Sequence, residues 1–404
     1  MPQKKKPIRI VKAFQDFFRS TVAGSTILIF SAFIAMIWIN SNYGHSYHTL
    51  WDTILKFNIL GFQSSFTLHQ FVNDGLMVVF FFLVGLEIKR EIIIGELSDF
   101  RKAMLPLIGA LGGVLIPALI YEVFNFGSLT AKGWAIPMAT DIAFALGILA
   151  LLGKKVPIGL KVFLAALAIA DDLAAIIIIA LFYTASINVV ALFVVVIIIA
   201  FMIMFNFMNL QKPFIYILFG VLLWLAMLQS GVHSTIAGVI TAFLVPVSTK
   251  KKKKEFGENQ ANTAIYKIEH KLTLIVAFFV MPIFALVNSG VELNNFNFSI
   301  FANKIALGIF LGLFIGKPFG VFLFVWLFVK YKMAKLPYGV GLSEMFGVSI
   351  LCGIGFTMSI FVSNLSFQIR SEELNLAKTS IIFASTLSAI IGFIYLSKVL
   401  KPNK

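Results

Sequence analysis

Long apolar runs separated by short polar connections organise the whole chain, and most runs have the length of a membrane span. A helix needs about 20 mainly apolar residues to cross the hydrocarbon core. Twelve runs approach that length, at roughly residues 20–39, 68–88, 104–124, 133–152, 159–183, 189–208, 214–229, 233–247, 272–288, 305–329, 342–364 and 376–397. The seventh and eighth are short, and Gly231 between them leaves room for a tight turn. An even count places both termini on one side. Two connections are long. Residues 248–271 form a polar linker, with a lysine run from Lys250 to Lys254, that joins two halves. Residues 40–67 carry Trp51 and alternating apolar positions, which predicts a hairpin; an exposed hairpin can pair with its copy on a second subunit.

Composition agrees with lipid as the solvent. Of 404 residues, 59% are apolar and 13% charged, with 44 phenylalanines, against about 45–50% and about 25% in soluble domains. The expected fold is an all-α integral membrane protein, a single polytopic domain over 1–404. The formal charge of +15 could point to nucleic acid or an anionic surface, so its distribution decides. With twelve spans, 27 of the 33 Lys and Arg residues fall on the N-terminal side. The opposite side holds Lys56, Lys132, Lys304, Arg370 and Lys378, and Lys317 lies inside the tenth span. Basic residues concentrate in cytoplasmic loops, so the excess reads as topology, with residues 1–19 and the C-terminus cytoplasmic. The basic start (Lys4, Lys5, Lys6, Arg9, Lys12) meets a long apolar run without a small-residue cleavage site, as a retained first span would. Cys352 is the one cysteine, so no disulfide framework exists.

The informative residues are the ionisable ones inside spans: Asp74, Asp141, Asp171, Asp172 and Lys317. Each costs at least ~2.5–3.5 kcal/mol at a helix centre. Asp171 and Asp172 stand near the middle of span 5. Adjacent helical residues point ~100° apart, so one carboxylate can take a fixed partner while its neighbour faces water. Two close carboxylates resist joint ionisation. Such a pair can hold a cation or protons, and their competition is the chemistry of exchange. Hard oxygen ligands suit sodium or lithium. Lys317 lies about a dozen residues from either end of its span, too deep to snorkel. It needs a carboxylate, and Asp171 or Asp172 is the natural partner.

Asp141 follows Pro137 and Thr140 in span 4. Pro137 removes a backbone donor and Thr140 competes for backbone hydrogen bonds, which predicts a helix broken at mid-membrane. Span 11 repeats the theme through Gly353 and Gly355. Spans 4 and 11 are the middles of two groups, 3–5 and 10–12, that run in opposite directions. Inverted repeats with broken helices in matching positions point to a transport site. Two other classes fit the residues less well. An intramembrane aspartyl protease needs its carboxylates on separate helices facing one another, whereas these are adjacent on one helix. A passive channel needs several weak sites along a pore, whereas a lysine beside one acidic pair suits a carrier. The chain therefore reads as a transporter and not an enzyme, with no cofactor.

At these residues the chain resembles the NhaA-type sodium/proton antiporters, from about residue 14 to 397. The resemblance is carried by Gly-Leu-Glu-Ile-Lys-Arg-Glu at 85–91, Ala-Thr-Asp at 139–141 and Ile-Ala-Asp-Asp-Leu at 169–173. Ser-Gly-Val-His at 230–233, Gly-Lys-Pro at 316–318 and Gly-Ile-Gly-Phe-Thr-Met-Ser at 353–359 complete it, all in order. Ala174 departs from the glycine expected after Asp-Asp-Leu. The resemblance implies a twelve-helix fold with spans 4 and 11 unwound and crossing. It implies Asp172 as the principal ion and proton carrier, with Asp171 beside it contacting Lys317, and Thr140 and Asp141 at the crossing. Asp141 would compensate the helix ends meeting there, and sodium would be held by Asp171, Asp172 and Thr140. Further implications are electrogenic export of Na+ or Li+ against more protons and activation at alkaline pH, in a bacterial inner membrane. pH-sensing charges would be Glu87, Arg90, Glu91, His233, Glu269 and His270, and a homodimer would form through residues 42–63.

Overall fold

The computed structural model describes residues 8–59, 62–93, 95–183, 188–247, 264–292, 298–369 and 371–400. Nine helices among these are long and apolar enough to cross a membrane, or up to eleven if each of two bent pairs is one span. The chain is an all-α membrane protein. In order, the helices are α1 (Ile8–Ile39), α2 (Gly44–Trp51), α3 (Leu68–Ile93), α4 (Phe100–Asn125), the interrupted α5 (Leu129–Leu151) and α6 (Ile158–Phe182). Then follow α7 (Val189–Phe207), α8 (Pro213–Ser230), α9 (Ile236–Leu244), α10 (Ile265–Asn288), α11 (Lys304–Lys330), α12 (Leu342–Cys352), α13 (Phe356–Ser366) and α14 (Glu372–Val399). Most apolar runs became the helices their pattern predicts. The run at 233–247 yields a helix of only nine residues, α9, because Gly231 takes a left-handed conformation that ends α8 and the chain turns through His233 and Ser234 before helix resumes. Of the polar linker, residues 248–263 lie outside the described residues, and the rest begins α10.

The 40–67 connection is only partly a hairpin. Tyr47 and Trp51, four residues apart, share the buried face of α2, a helical spacing rather than strand alternation. The Tyr47 hydroxyl fixes that face by donating to the carbonyls of Leu286 and Val287 at 2.9 and 2.7 Å. The strands are β1 (Ile54–Ile59) and β2 (Phe62–Thr67), paired antiparallel with Ile54 opposite Thr67. The hairpin thus occupies 54–67 rather than beginning at 42.

Burial sorts the helices into centre and rim. Two-thirds (67%) of the apolar window of α6 is buried by protein, against 11% for α7 and 22% for α8. So α6, which carries the two aspartates, is central, while α7 and α8 face lipid. Close approach around that centre depends on small residues, as expected where lipid is as apolar as the side chains. At the α4–α11 crossing a Cβ on Gly112 would collide with the Gly320 carbonyl, and one on Gly320 with the Gly112 carbonyl. A second tight seam joins α3 to α9, where a Cβ on Gly85 would stand 2.7 Å from that of Ala242. Buried Lys89 of α3 completes this seam by donating to the Phe243 and Val245 carbonyls at the end of α9. Gly320→Leu is expected to force α4 and α11 apart, at a cost of about 1–3 kcal/mol or more. A lowered Tm of the purified protein in detergent checks this; an unchanged Tm means the two backbones are not in contact.

Candidate functional site

Both broken spans are interrupted where they meet. In α5 a 3-10 stretch, Leu129–Met138, ends at an extended Ala139–Asp141 segment before the α-helical half Ile142–Leu151 begins. The second interruption is Gly353–Gly355, between α12 and α13, whose axes differ by 42°. Breaking helices in lipid leaves backbone groups without partners, each costly unless satisfied by protein. Here each chain satisfies the other. The Asp141 amide donates to the Ile354 carbonyl at 2.7 Å, and the Ser359 hydroxyl donates to the Ile136 carbonyl at 2.8 Å. Gly355 leaves this space open: a Cβ there would collide with the Ser359 hydroxyl and stand 2.8 Å from a Leu313 methyl and 3.1 Å from the Ala139 carbonyl.

Charge completes the crossing. The Asp141 carboxylate caps two helix N-termini at once. Its Oδ1 accepts from the Phe144 amide at 3.0 Å. Its Oδ2 accepts from the Thr357 amide at 3.1 Å and the Thr357 hydroxyl at 2.5 Å. An anion there opposes the positive ends of both half-helices. The C-terminal ends receive donors instead. The Thr140 hydroxyl bonds the Cys352 carbonyl at 3.2 Å, and the Lys317 ammonium bonds the Met138 carbonyl.

Lys317 also settles which aspartate it serves. Its Nζ is 2.7 Å from Asp171 Oδ2, with both side chains fully buried. A π-helical turn, Gly312–Gly316, precedes it in α11 and absorbs the missing amide of Pro318. The same Asp171 oxygen accepts from the Thr140 hydroxyl at 2.7 Å. Asp171 Oδ1, although buried, has no hydrogen-bond partner. Asp172 is 3% exposed and takes no hydrogen bond from a described residue, while lying within electrostatic reach of Asp171, Glu87, Asp141 and Lys317. Free hard oxygens are therefore available from both members of the pair. No group of three His, Cys, Asp or Glu among the described residues is arranged for a metal ion.

A cavity of about 90 Å³ runs from Glu87 to Asp141 and Thr357, between α1, α3 and α10. It is large enough for several waters. Near it, Arg90 forms ion pairs with Glu269 and, at 3.1 Å, with Glu91. His270 is exposed and stacks on Tyr266 at 6.1 Å, outside those pairs. His233 stands apart, towards the start of α3, 3.9 Å from Asp74 and hydrogen-bonded to Thr235. The structure thus brings together Thr140, Asp141, Asp171, Asp172 and Lys317, groups Glu87, Arg90, Glu91 and Glu269 separately with His270 within electrostatic reach of Glu269, and leaves His233 outside both. Thr357 and the carbonyls of Met138 and Cys352 escaped the sequence reading. Thr357 lay inside a quoted motif, but a neutral hydroxyl is cheap to bury and draws no notice.

A family model described as Na+/H+ antiporter 1 matches residues 15–396. The Na(+)/H(+) antiporter NhaA 1 of Clostridium beijerinckii is 47% identical over 386 residues, 95% of this chain and 94% of that protein. The Na(+)/H(+) antiporter NhaA of Escherichia coli O1:K1 is 45% identical over 396 residues, 97% of this chain and all (100%) of that protein. Among solved structures, the sodium proton antiporter MjNhaP1 of Methanocaldococcus jannaschii aligns over 97% of both chains with a TM-score of 0.51 at 12% identity, a likeness of fold.

Removing one partner of a buried ion pair strands the other charge, at about 3–5 kcal/mol. Lys317→Met is therefore expected to lower Tm sharply. Adding Asp171→Asn should restore much of the loss, and thermal melts of the single and double variants in detergent read the coupling directly. Additive losses would mean that the two groups are independent.

Proposed function

The chain belongs to the NhaA family of Na+/H+ antiporters, and on that premise we propose that Na+ and H+ compete for one site at Asp171 and Asp172 under alternating access. What supports this reading is the asymmetry of the pair: Lys317 and Thr140 occupy one oxygen of Asp171, while Asp172 is buried without a hydrogen-bond donor. A buried carboxylate in that condition must take up a cation or a proton. Asp172 is the carrier. Asp171 Oδ1 and Thr140 complete the oxygen set for Na+ or Li+, and Asp141 holds the crossing about which the site changes sides.

The basic residues concentrate on the side of both termini, which makes that face cytoplasmic and the localisation a bacterial inner membrane. Glu87 and the Arg90–Glu91–Glu269 cluster lie at the mouth of the site on that face and tune its response to pH, together with His233 and His270. Exchange is electrogenic, more protons entering than sodium ions leaving, and active at alkaline pH. A homodimer forms through residues 42–63, whose second half carries β1 and the start of β2. Deleting residues 54–67 should leave a monomer by light scattering in detergent, and a persisting dimer would rule the hairpin out.

Asp172→Asn is expected to abolish Na+-driven dequenching of a pH dye in everted vesicles, and undiminished dequenching would refute the scheme. Competition sets a further expectation. With one proton competing, the apparent KM for Na+ should rise by about tenfold per unit as pH falls through the acid side of the profile. A KM independent of pH would separate the two ions' sites.

A further inference from the structure

The route from the aspartate site towards the start of α3 is closed, and the closing groups lie along one face of α13. Thr357, Phe361 and Asn364 are spaced four and three residues apart, so they share a face. Thr357 belongs to the site. Phe361, fully buried, packs against Phe81 with ring centroids 5.3 Å apart, His233 at 5.9 Å and Phe284 at 6.4 Å. Next comes Asn364. Its amide donates to Asn288 Oδ1 of α10 at 2.7 Å, and the Asn288 amide donates to Asn73 Oδ1 of α3 at 2.9 Å. Asn73 in turn lies 3.1 Å from a ring nitrogen of His69. Three helices are thereby clasped by three asparagines.

Beyond the clasp the character changes. His69 lines a cavity of about 540 Å³ together with Tyr47, His48, Glu292 and Lys378. This cavity stands at the opposite end of α3 and α10 from Glu87, Arg90 and Glu269. The crossing beside the aspartate pair therefore borders, through Asp141 and Thr357, the cavity at Glu87 on one side. On the other it has an aromatic layer, the asparagine clasp and then a second, larger cavity.

We propose that the Asn73–Asn288–Asn364 clasp is the gate between the ion site and this second cavity, which serves as the vestibule on the opposite membrane face. The proposal rests on the alternating-access reading. Asn364 Oδ1 is buried with no hydrogen-bond partner, so the clasp is one bond short of complete. Neutral amide bonds between transmembrane helices are individually weak, averaging about 0.6 kcal/mol. A gate held by such bonds opens without stranding a charge, unlike the Lys317–Asp171 pair, and so separation of α13 from α10 and α3 is the inexpensive motion.

The test uses the whole protein in vesicles. Cys352 is buried, so Asn288→Cys with Asn364→Cys presents the two reactive thiols. A short bis-methanethiosulfonate reagent should reduce exchange by about tenfold or more by removing the open state, and reductant should restore it. Crosslinked protein that exchanges at the unmodified rate overturns the gate. Wild-type and reduced vesicles run alongside separate this outcome from failure of the exchange reading, in which neither would respond to Na+. The single variant Asn364→Cys gives a second readout: a membrane-impermeant thiol reagent added on the vestibule side should react faster during Na+-driven turnover than at rest. Equal rates would also overturn the proposal.

Discussion

A lysine at mid-membrane cannot be left alone, and the way Lys317 is satisfied determines much of what surrounds it. Its ammonium reaches Asp171 of α6 and the Met138 carbonyl where α5 is interrupted. One cation thus binds a carboxylate and the negative end of a broken helix together. Asp141 does the reverse at two positive ends. Once Lys317 answers Asp171 and Asp141 answers the half-helices, Asp172 is the carboxylate without a counterpart. A buried site with an uncompensated carboxylate attracts positive charge, and both a proton and an alkali cation supply it. That is the physical basis for competition between them.

Such a charge arrangement requires the helices to come close, which bulky residues would prevent. The Gly112–Gly320 contact lets α11 lie against α4 so that Lys317 reaches α6. Gly355 plays the same part at the crossing, where Ala139 passes. At Gly112 and Gly320 the approach is backbone to backbone, which packs α4 and α11 tightly. The α3–α9 seam, tightened by Gly85 and Lys89, makes a second unit. The cavity at Glu87 and the asparagine clasp lie on other elements, the first among α1, α3, α10 and the crossing, the second among α3, α10 and α13.

The parts legible in the sequence were those with a high cost of burial. Asp171, Asp172, Asp141 and Lys317 stood out because an ionised group in hydrocarbon is expensive, and Pro137 and Gly353–Gly355 because they interrupt helices. The partner of Lys317 stayed open between two neighbours, since adjacency on one helix leaves both within reach and only the rotation of α6 against α11 decides. Thr357, Asn73, Asn288 and Asn364 gave no signal, because a neutral side chain can return its hydrogen bond to its own helix; Asn288 does so in part, to the Phe284 carbonyl at 3.0 Å. In the 40–67 connection the alternating positions pointed to the hairpin that β1 and β2 form, while the four-residue spacing of Tyr47 and Trp51, which marks the helix α2, passed unread.

Adjacency of the two aspartates matters more than their number. Had they been four residues apart they would share a face and one environment, and Lys317 could serve either. At ~100° Asp171 turns to the α5 interruption and Lys317, while Asp172 meets no hydrogen-bond donor among the described residues. A single helix therefore carries a fixed charge and an exchangeable one side by side. In the proposed exchange, the Lys317–Asp171 pair would hold the crossing together while the occupant of Asp172 changed, so loading with a proton or with sodium need not dismantle it. That separation lets the same buried pair be presented to two sides of a membrane with its architecture intact.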